Sequence, residues 1–316
     1  MHDVLTELFR PHGFFLRRDA LAQGLTDRRL YGLVRDGTLH RIRQGAYTTT
    51  RRWRSLDPVA RHLMRARCVV RCAAVEVALC HTTAAVVHGG PVWGLPLTEV
   101  HVVRLDGRTG RREAGVRQHG HALDAEDVVE VGGLPVTAVA RTCLDVTTIA
   151  RVEVALGVLD HFLHVGAVSQ DELVRRVATL GTRPGSLASE LACRLADGRS
   201  ESVGETRVRY RCWASHLPHP VPQFEIREGG RVVYRLDFAW PEHGVWLEFD
   251  GREKYVKHLR DGESVVDAVL REKRREERIA LRTGWRCIRV TWADLQDPER
   301  LVARIAAVLA GGPVHA

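Results

Sequence analysis

Apolar residues recur at helical spacing near the N-terminus, fall into scattered short runs through the middle, and form strand-like runs between helical ones toward the C-terminus, with alternation from Trp285 to Thr291. Val4, Leu5, Leu8 and Phe9 share one helical face, and Leu16 to Ala22 reads as a second helix ended by Gly24. Thr26 can cap a third, with Leu30, Leu33 and Val34 inside and Arg28, Arg29 and Arg35 outside; Asp36-Gly37 ends it. Leu39 to Ile42 and Ala46 to Thr48 then alternate around Arg43-Gln44-Gly45, which predicts a hairpin.

The middle segment is less regular. Residues 57–80 read as one helix through Val59, Leu63, Ala66, Val70 and the run Ala73 to Leu79. His81 to Ala85 opens another, capped by Thr82 or Thr83 and ended by Gly89-Gly90-Pro91. Strands are expected at 99–104, 115–119 and 134–137. A helical stretch follows from Arg141 to about 198, broken at Gly166 and at 181–185.

From Ser202 the pattern sharpens. Glu205 to Leu217 predicts a helix with Val208, Cys212 and Trp213 inward, and Ser202 and Glu205 have capping-box spacing. Pro218 and Pro220 stop it. Strands follow at 223–228, 231–240 and 244–250, then a charged helix over 262–283, a strand from Trp285 to Thr291, and a last helix opened by Asp297-Pro298. The reading is an α+β multidomain chain in three segments: 1–55, a winged helix-turn-helix in outline; 56–198, mixed α/β; and 199–316, α/β.

The third segment holds the strongest chemistry. If Pro241-Glu242-His243-Gly244 turns a hairpin, Asp237 faces Glu248 across the ladder, and Asp250 shares their face because strand side chains alternate. Like charges opposed on a sheet are destabilising, so a cation should compensate them. A divalent ion, Mg²⁺ or Mn²⁺, is the economical answer, because such ions take carboxylate oxygens and keep several waters. Arg252, Arg271, Lys273, Arg274, Arg275 and Arg278 are candidates for clamping a phosphate backbone. The alternative for the helix arginines is a solvated face, since Glu272, Glu276 and Glu277 alternate with them.

Charge and cysteine usage narrow the setting. The net charge is +8, but the lysines number only three, Lys254, Lys257 and Lys273, and an arginine bias of this kind often reflects genome base composition rather than function. Distribution therefore counts for more than the total. Residues 1–55 carry eleven arginines against five acids, a local charge of +6. The third helix of that segment would enter a major groove with Arg41 and Arg43 on phosphates; the alternative is a winged helix that docks protein. Seven scattered cysteines without C-x-x-C predict buried free thiols. His119-Gly120-His121 and the pair His161/His164 lack a third ligand at plausible spacing and read as surface or helix-face histidines, and Arg111-Arg112 reads as a solvated loop. Nothing resembles a signal peptide or a membrane span, so a cytoplasmic location is expected.

Three stretches also resemble known families. "GFFLRRDALAQGLTDRRLYGLVRDGTLHRIRQGAYTT", with its R-x-G-x-Y ending at Arg43, Gly45 and Tyr47, resembles the N-terminal domain of AbiEi-type antitoxins from type IV toxin–antitoxin systems. "HTTAAVVHGGPVWGLP" and "GLPVTAVARTCLDVT" resemble the region that follows it, which implies no catalytic residue. The C-terminal order resembles the PD-(D/E)xK restriction-endonuclease-like fold, and more closely the small proteins related to the very-short-patch-repair endonuclease. The features that carry this are Glu248-x-Asp250-Gly251, a helix ending at Arg278, Leu281, Gly284 and Trp285, and Asp294.

That resemblance implies that Asp237 and Glu248 hold the metal, with Asp250 in or beside the first shell and Glu205 behind it. Relatives usually carry histidine where this chain has Lys254. The usual motif lysine, two positions after the glutamate, is replaced by Asp250, so Lys254 would have to reach from the strand end to stabilise the phosphate or orient water. The function implied is metal-dependent endonucleolytic hydrolysis of DNA, double-stranded by preference, in phage defence or repair. RNA is the other substrate the motif allows. The alternative is a non-catalytic antitoxin-like repressor with a cognate toxin as partner.

Overall fold

The computed structural model describes residues 2–10, 12–108, 110–120, 123–179, 185–251 and 264–311. The chain divides into two compact units, one of Met1–Val158 and Val168–Cys193, the other of Leu159–Ala167 and Arg194–Ala316. Several mixed sheets make it an α+β multidomain protein. No helix among the described residues is long and apolar enough to cross a membrane.

The first unit begins with α1 (His2–Phe9), β1 (Phe15–Leu16), α2 (Arg17–Ala22), α3 (Asp27–Arg35), β2 (Leu39–Arg43) and β3 (Ala46–Thr49), and the three strands form a sheet in the order β1-β3-β2. The Thr26 hydroxyl accepts the Arg29 N–H and starts α3. Leu30 and Leu33 then bury against Phe15, Ala20 and Leu39. At the hairpin, Gly45 takes a φ of 74°, the left-handed conformation its missing Cβ permits. After α4 (Thr50–Ser55), α5 (Pro58–Cys72) buries Met64 and Cys68 against Phe14, Leu16 and Ala46.

The predicted helix over 57–80 is too long. Helix α5 stops at Cys72 with Ala73 extended, and Val77–Leu79 form β4 inside a six-stranded sheet. The run Ala73 to Leu79 is apolar but for Glu76, and a buried strand as short as Val77–Leu79 carries no period to separate it from a helix. The other elements of the unit are α6 (His81–Val87), β5 (Val100–Arg104), β6 (Arg112–Glu113), β7 (Val116–His119), β8 (Val128–Val131), β9 (Leu134–Thr137), α7 (Val139–Thr147), α8 (Val152–His164, as far as Val158 in this unit), α9 (Gln170–Ala178) and α10 (Ser186–Leu195, as far as Cys193 in this unit). The sheet order is β6-β7-β5-β4-β9-β8, with β5/β7 and β4/β9 parallel. The cap of α6 is also corrected: Cys80 takes that position, and Thr82 and Thr83 lie buried inside the helix. Arg111 and Arg112 are ion-paired to Glu113 and Glu99 at the edge of this sheet.

The second unit follows the order read from the sequence: α11 (Val203–Ala214), β10 (Val221–Glu228), β11 (Arg231–Trp240), β12 (Val245–Asp250), α12 (Val265–Thr283), β13 (Arg286–Thr291) and α13 (Pro298–Leu309). Strands β10, β11 and β12 are antiparallel, and β13 joins β12 in parallel after the α12 crossover. Val245, Leu247 and Phe249 share a core with Val208 and Cys212 of α11 and Leu301 and Ile305 of α13. The alternate residue Trp246 packs with Ile279 of α12. Gly204 lets α11 lie against β12, because a Cβ there would stand 2.0 Å from the Phe249 ring.

Candidate functional site

Helix α3 has one buried side and one basic side. Arg28, Tyr31 and Arg35, at i, i+3 and i+7, are exposed on one face, with Tyr31 69% accessible. Arg29 is exposed beside them, Arg41 projects from β2, and Arg43 is half-buried at the wing. No ion pair among the described residues engages Arg28, Arg35 or Arg41. Arg17, in contrast, forks onto Asp27 at 2.5 and 2.6 Å, linking α2 to the first turn of α3 and holding that carboxyl below its usual range. Tyr31 was not singled out from the sequence, although its spacing from Arg28 and Arg35 was the available signal.

In the second unit the hairpin register is the expected one. Phe238 pairs with Leu247, Ala239 with Trp246 and Trp240 with Val245. The ladder ends there, one position short of Asp237 and Glu248. Beyond it Asp237, 9% exposed, accepts the Phe249 N–H on Oδ2 at 2.8 Å, so a side chain takes over where backbone pairing stops. On the other side of β11, the pairs Pro222/Phe238 and Phe224/Leu236 put Gln223 opposite Asp237, and Glu248 is in register with Arg289 of β13. Gln223, Asp237, Glu248 and Arg289 thus form one row across four strands.

The partners of the row explain how the acids are tolerated. Arg275 of α12 donates to Glu248 Oε1 at 3.0 Å and to the Arg235 carbonyl at 2.7 Å. Burial works against the Arg275 charge, but Glu248, Glu272 and Asp237 outweigh it and raise the guanidinium pKa. Arg289 stands 3.7 Å from Asp250 and 2.8 Å from Glu276. Glu205, 2% exposed, accepts the Glu201 N–H at 2.9 Å, the Ser202 hydroxyl at 2.8 Å and the Gln223 amide at 3.1 Å. It closes the start of α11 and reaches the row through Gln223, whose φ of 50° is unusual for a non-glycine strand residue. Gln223 and the inward roles of Arg275 and Arg289 were not legible in the sequence.

The fit to a divalent ion is partial. Asp237 and Glu248 stand on adjacent strands and offer the hard oxygen donors Mg²⁺ takes, one or two of which suffice. The three carboxylates Asp237, Glu248 and Asp250 do not form a group with ligand atoms within 4.8 Å of one another. Arg274 is exposed on α12, and its carbonyl accepts from Arg278; Lys273 is also exposed. Lys254 and Arg252 lie outside the described residues.

His119 differs from the sequence expectation. Its third ligand is absent from the neighbouring sequence but present in space, where Cys80, His81 and His119 bring one ligand atom each within 4.8 Å of one another. His121 lies outside the described residues. His164 bonds the Gly198 carbonyl at 3.0 Å, and no third ligand-type side chain joins His161 and His164 among the described residues.

Residues 3–50 match the family described as "Transcriptional regulator, AbiEi antitoxin". Two uncharacterized proteins of Mycobacterium tuberculosis, from strains CDC 1551 / Oshkosh and ATCC 25618 / H37Rv, are each 31% identical over 177 residues. The aligned part is 56% of this chain, and the chain spans 62% of the length of these relatives.

Proposed function

We propose that the protein is a DNA-binding regulator of the antitoxin type that reads double-stranded DNA through α3 and the β2–β3 wing. The observation that supports this best is the exposed Arg28/Tyr31/Arg35 face of α3, set on a helix whose other side is core. The matching family description for residues 3–50 supports the same reading and makes a toxin protein a candidate partner. In this reading α3 lies in the major groove, where a guanidinium can bond guanine O6 and N7 together, and Arg41 and Arg43 fix the wing on phosphates. Arg29 extends the basic surface at the start of the helix.

The test is fluorescence anisotropy on duplexes from the gene's own promoter region and on scrambled duplexes, across a salt series. Arg28→Ala or Arg35→Ala is expected to lose about 1–3 kcal/mol of discrimination, and Arg41→Ala to weaken all duplexes alike and lower the salt slope by about 1. Equal binding of both duplexes by the unaltered protein and the variants would remove the regulatory reading.

A second reading is favoured by the row Gln223–Asp237–Glu248–Arg289 in its order of helix, three strands, helix, strand and helix. It makes the second unit a metal-dependent endonuclease. Asp237 and Glu248 would hold Mg²⁺ or Mn²⁺, with Glu205 behind and Asp250 beside them. The ion, when bound, supplies charge neutralisation at the phosphate and a more acidic water. The chain's own part is to position: Glu205 orients Gln223, and Asp237 fixes β12 through the Phe249 N–H. Arg275, now on Glu248, is placed to exchange that carboxylate for a phosphate oxygen. Lys254 is the remaining cation proposed for phosphate or water. Incubation of supercoiled, linear and single-stranded DNA and of RNA with Mg²⁺ or Mn²⁺, against Asp237→Ala, decides it. Metal-dependent cutting lost in the variant supports the enzyme; no cutting of any substrate leaves the regulator.

A further inference from the structure

The geometry points to a transition-metal site in the first unit, with Zn²⁺ as the fitting ion, formed by Cys80, His81 and His119. The site is independent of the carboxylate row. Its ligands come from two places in the six-stranded sheet. Strand β5 lies between β4 and β7, with Leu79 opposite Val102 and Val103 opposite His119. Cys80 follows directly on β4, where its N–H donates to the His101 carbonyl at 3.1 Å. His81 begins α6 with a φ of 51°, a sparsely populated backbone region for a non-glycine residue. This turn brings its ring against His119, with centroids 3.6 Å apart. The ligand atoms of all three residues lie within 4.8 Å of one another.

The donor set decides the class of ion. One thiolate and two imidazoles suit Zn²⁺ and its first-row neighbours, whereas Mg²⁺ and Ca²⁺ take oxygen. An outer layer of partners is present. His81 Nδ1 is 3.8 Å from Asp145 Oδ2, ion-pair distance without a hydrogen bond, and His119 Nε2 is 3.0 Å from His101 Nδ1, which leaves His119 Nδ1 as its nitrogen for the ion. Asp145 is held in turn by Arg141 at 2.8 Å, and Arg141 by Asp127 at 3.0 Å. The Thr83 hydroxyl meets the His101 N–H at 2.9 Å and His62 Nε2 at 3.0 Å, fixing the strand from below.

The two imidazoles are stacked with planes 16° apart, so holding one ion between them would require a ring to turn. A polar cavity of about 580 Å³, lined by His81, Asp127, Arg141, Asp145 and Arg176 among others, adjoins the site. Of the three ligand residues it touches His81 alone.

The test uses the full chain and Co²⁺ as the optical probe, with Zn²⁺ as competitor. The expected result is one equivalent of Co²⁺ with a thiolate-to-cobalt charge-transfer band that Zn²⁺ abolishes. Cys80→Ser should lose the band and Cys287→Ser should keep it. His119→Gln, at a half-buried position, should lose tight binding while retaining the far-ultraviolet circular dichroism of the unaltered protein, which keeps the test decisive if Cys80→Ser does not fold. Asp145→Asn should weaken binding by about 10- to 100-fold. A band absent from the unaltered protein at saturating Co²⁺, or retained in folded His119→Gln, overturns the site.

Discussion

The three candidate metal ligands of the second unit and the three of the first are dealt with in opposite ways. In the second unit Asp237, Glu248 and Asp250 are hard oxygen donors, and nitrogen groups answer them: the Phe249 N–H, Arg275 and Arg289. In the first unit Cys80, His81 and His119 are softer donors packed close together. An arginine-rich chain supplies guanidinium partners readily, and guanidinium pairs with carboxylate. It is a donor only, without an acceptor to offer a thiol or an N–H imidazole. Arginine can therefore stand in for an ion at the carboxylates, whereas the partners beside the cysteine–histidine group are His101 and Asp145.

The comparison can be tested by removing the arginines. The largest effect is expected at Asp160, 1% exposed in the second unit, which accepts Arg209 at 2.7 Å, Thr206 at 2.7 Å and the Asp197 N–H at 2.8 Å. Arg209→Ala should cost about 3–5 kcal/mol in urea unfolding, as for a broken buried pair. A loss below 1 kcal/mol would mean that these carboxylates do not depend on arginine. Arg275→Met comes next. Its pair with Glu248 is partly exposed, so about 1–3 kcal/mol is expected, between the surface and buried cases. Added Mg²⁺ should recover part of that loss if an ion can take the place of Arg275; no recovery would count against ion binding at Glu248. In the first unit, Thr83→Val leaves the His101 N–H and His62 without their shared hydroxyl, for about 1–3 kcal/mol. A larger loss than at Arg275 would reverse the ordering of the two sites.

The sequence revealed these regions unequally. In the second unit, alternation and the turn at 241–244 predicted three strands and the register of Phe238 with Leu247. What stayed hidden was the neutralising partner, because Arg275 arrives 27 residues after Glu248 across a crossover, and periodicity does not say which arginine of a charged helix turns inward. In the first unit, Thr26, Leu30 and Leu33 placed α3 correctly because capping and core spacing are local signals. Strand β4 was absorbed into a helix, and the cysteine–histidine group was invisible for a related reason. Its members are brought together only when β5 pairs antiparallel with β4 and parallel with β7, a topology that local spacing does not encode.

The backbone of His81 carries a consequence for how this protein can change over generations. Its positive φ is one that glycine adopts at little cost, while an L side chain there is strained. Selection for thermal robustness alone would favour glycine at that position among its first substitutions. The same change would delete the imidazole between Cys80 and His119, so His81 is a place where lineages keeping the ligand and lineages gaining stability would part.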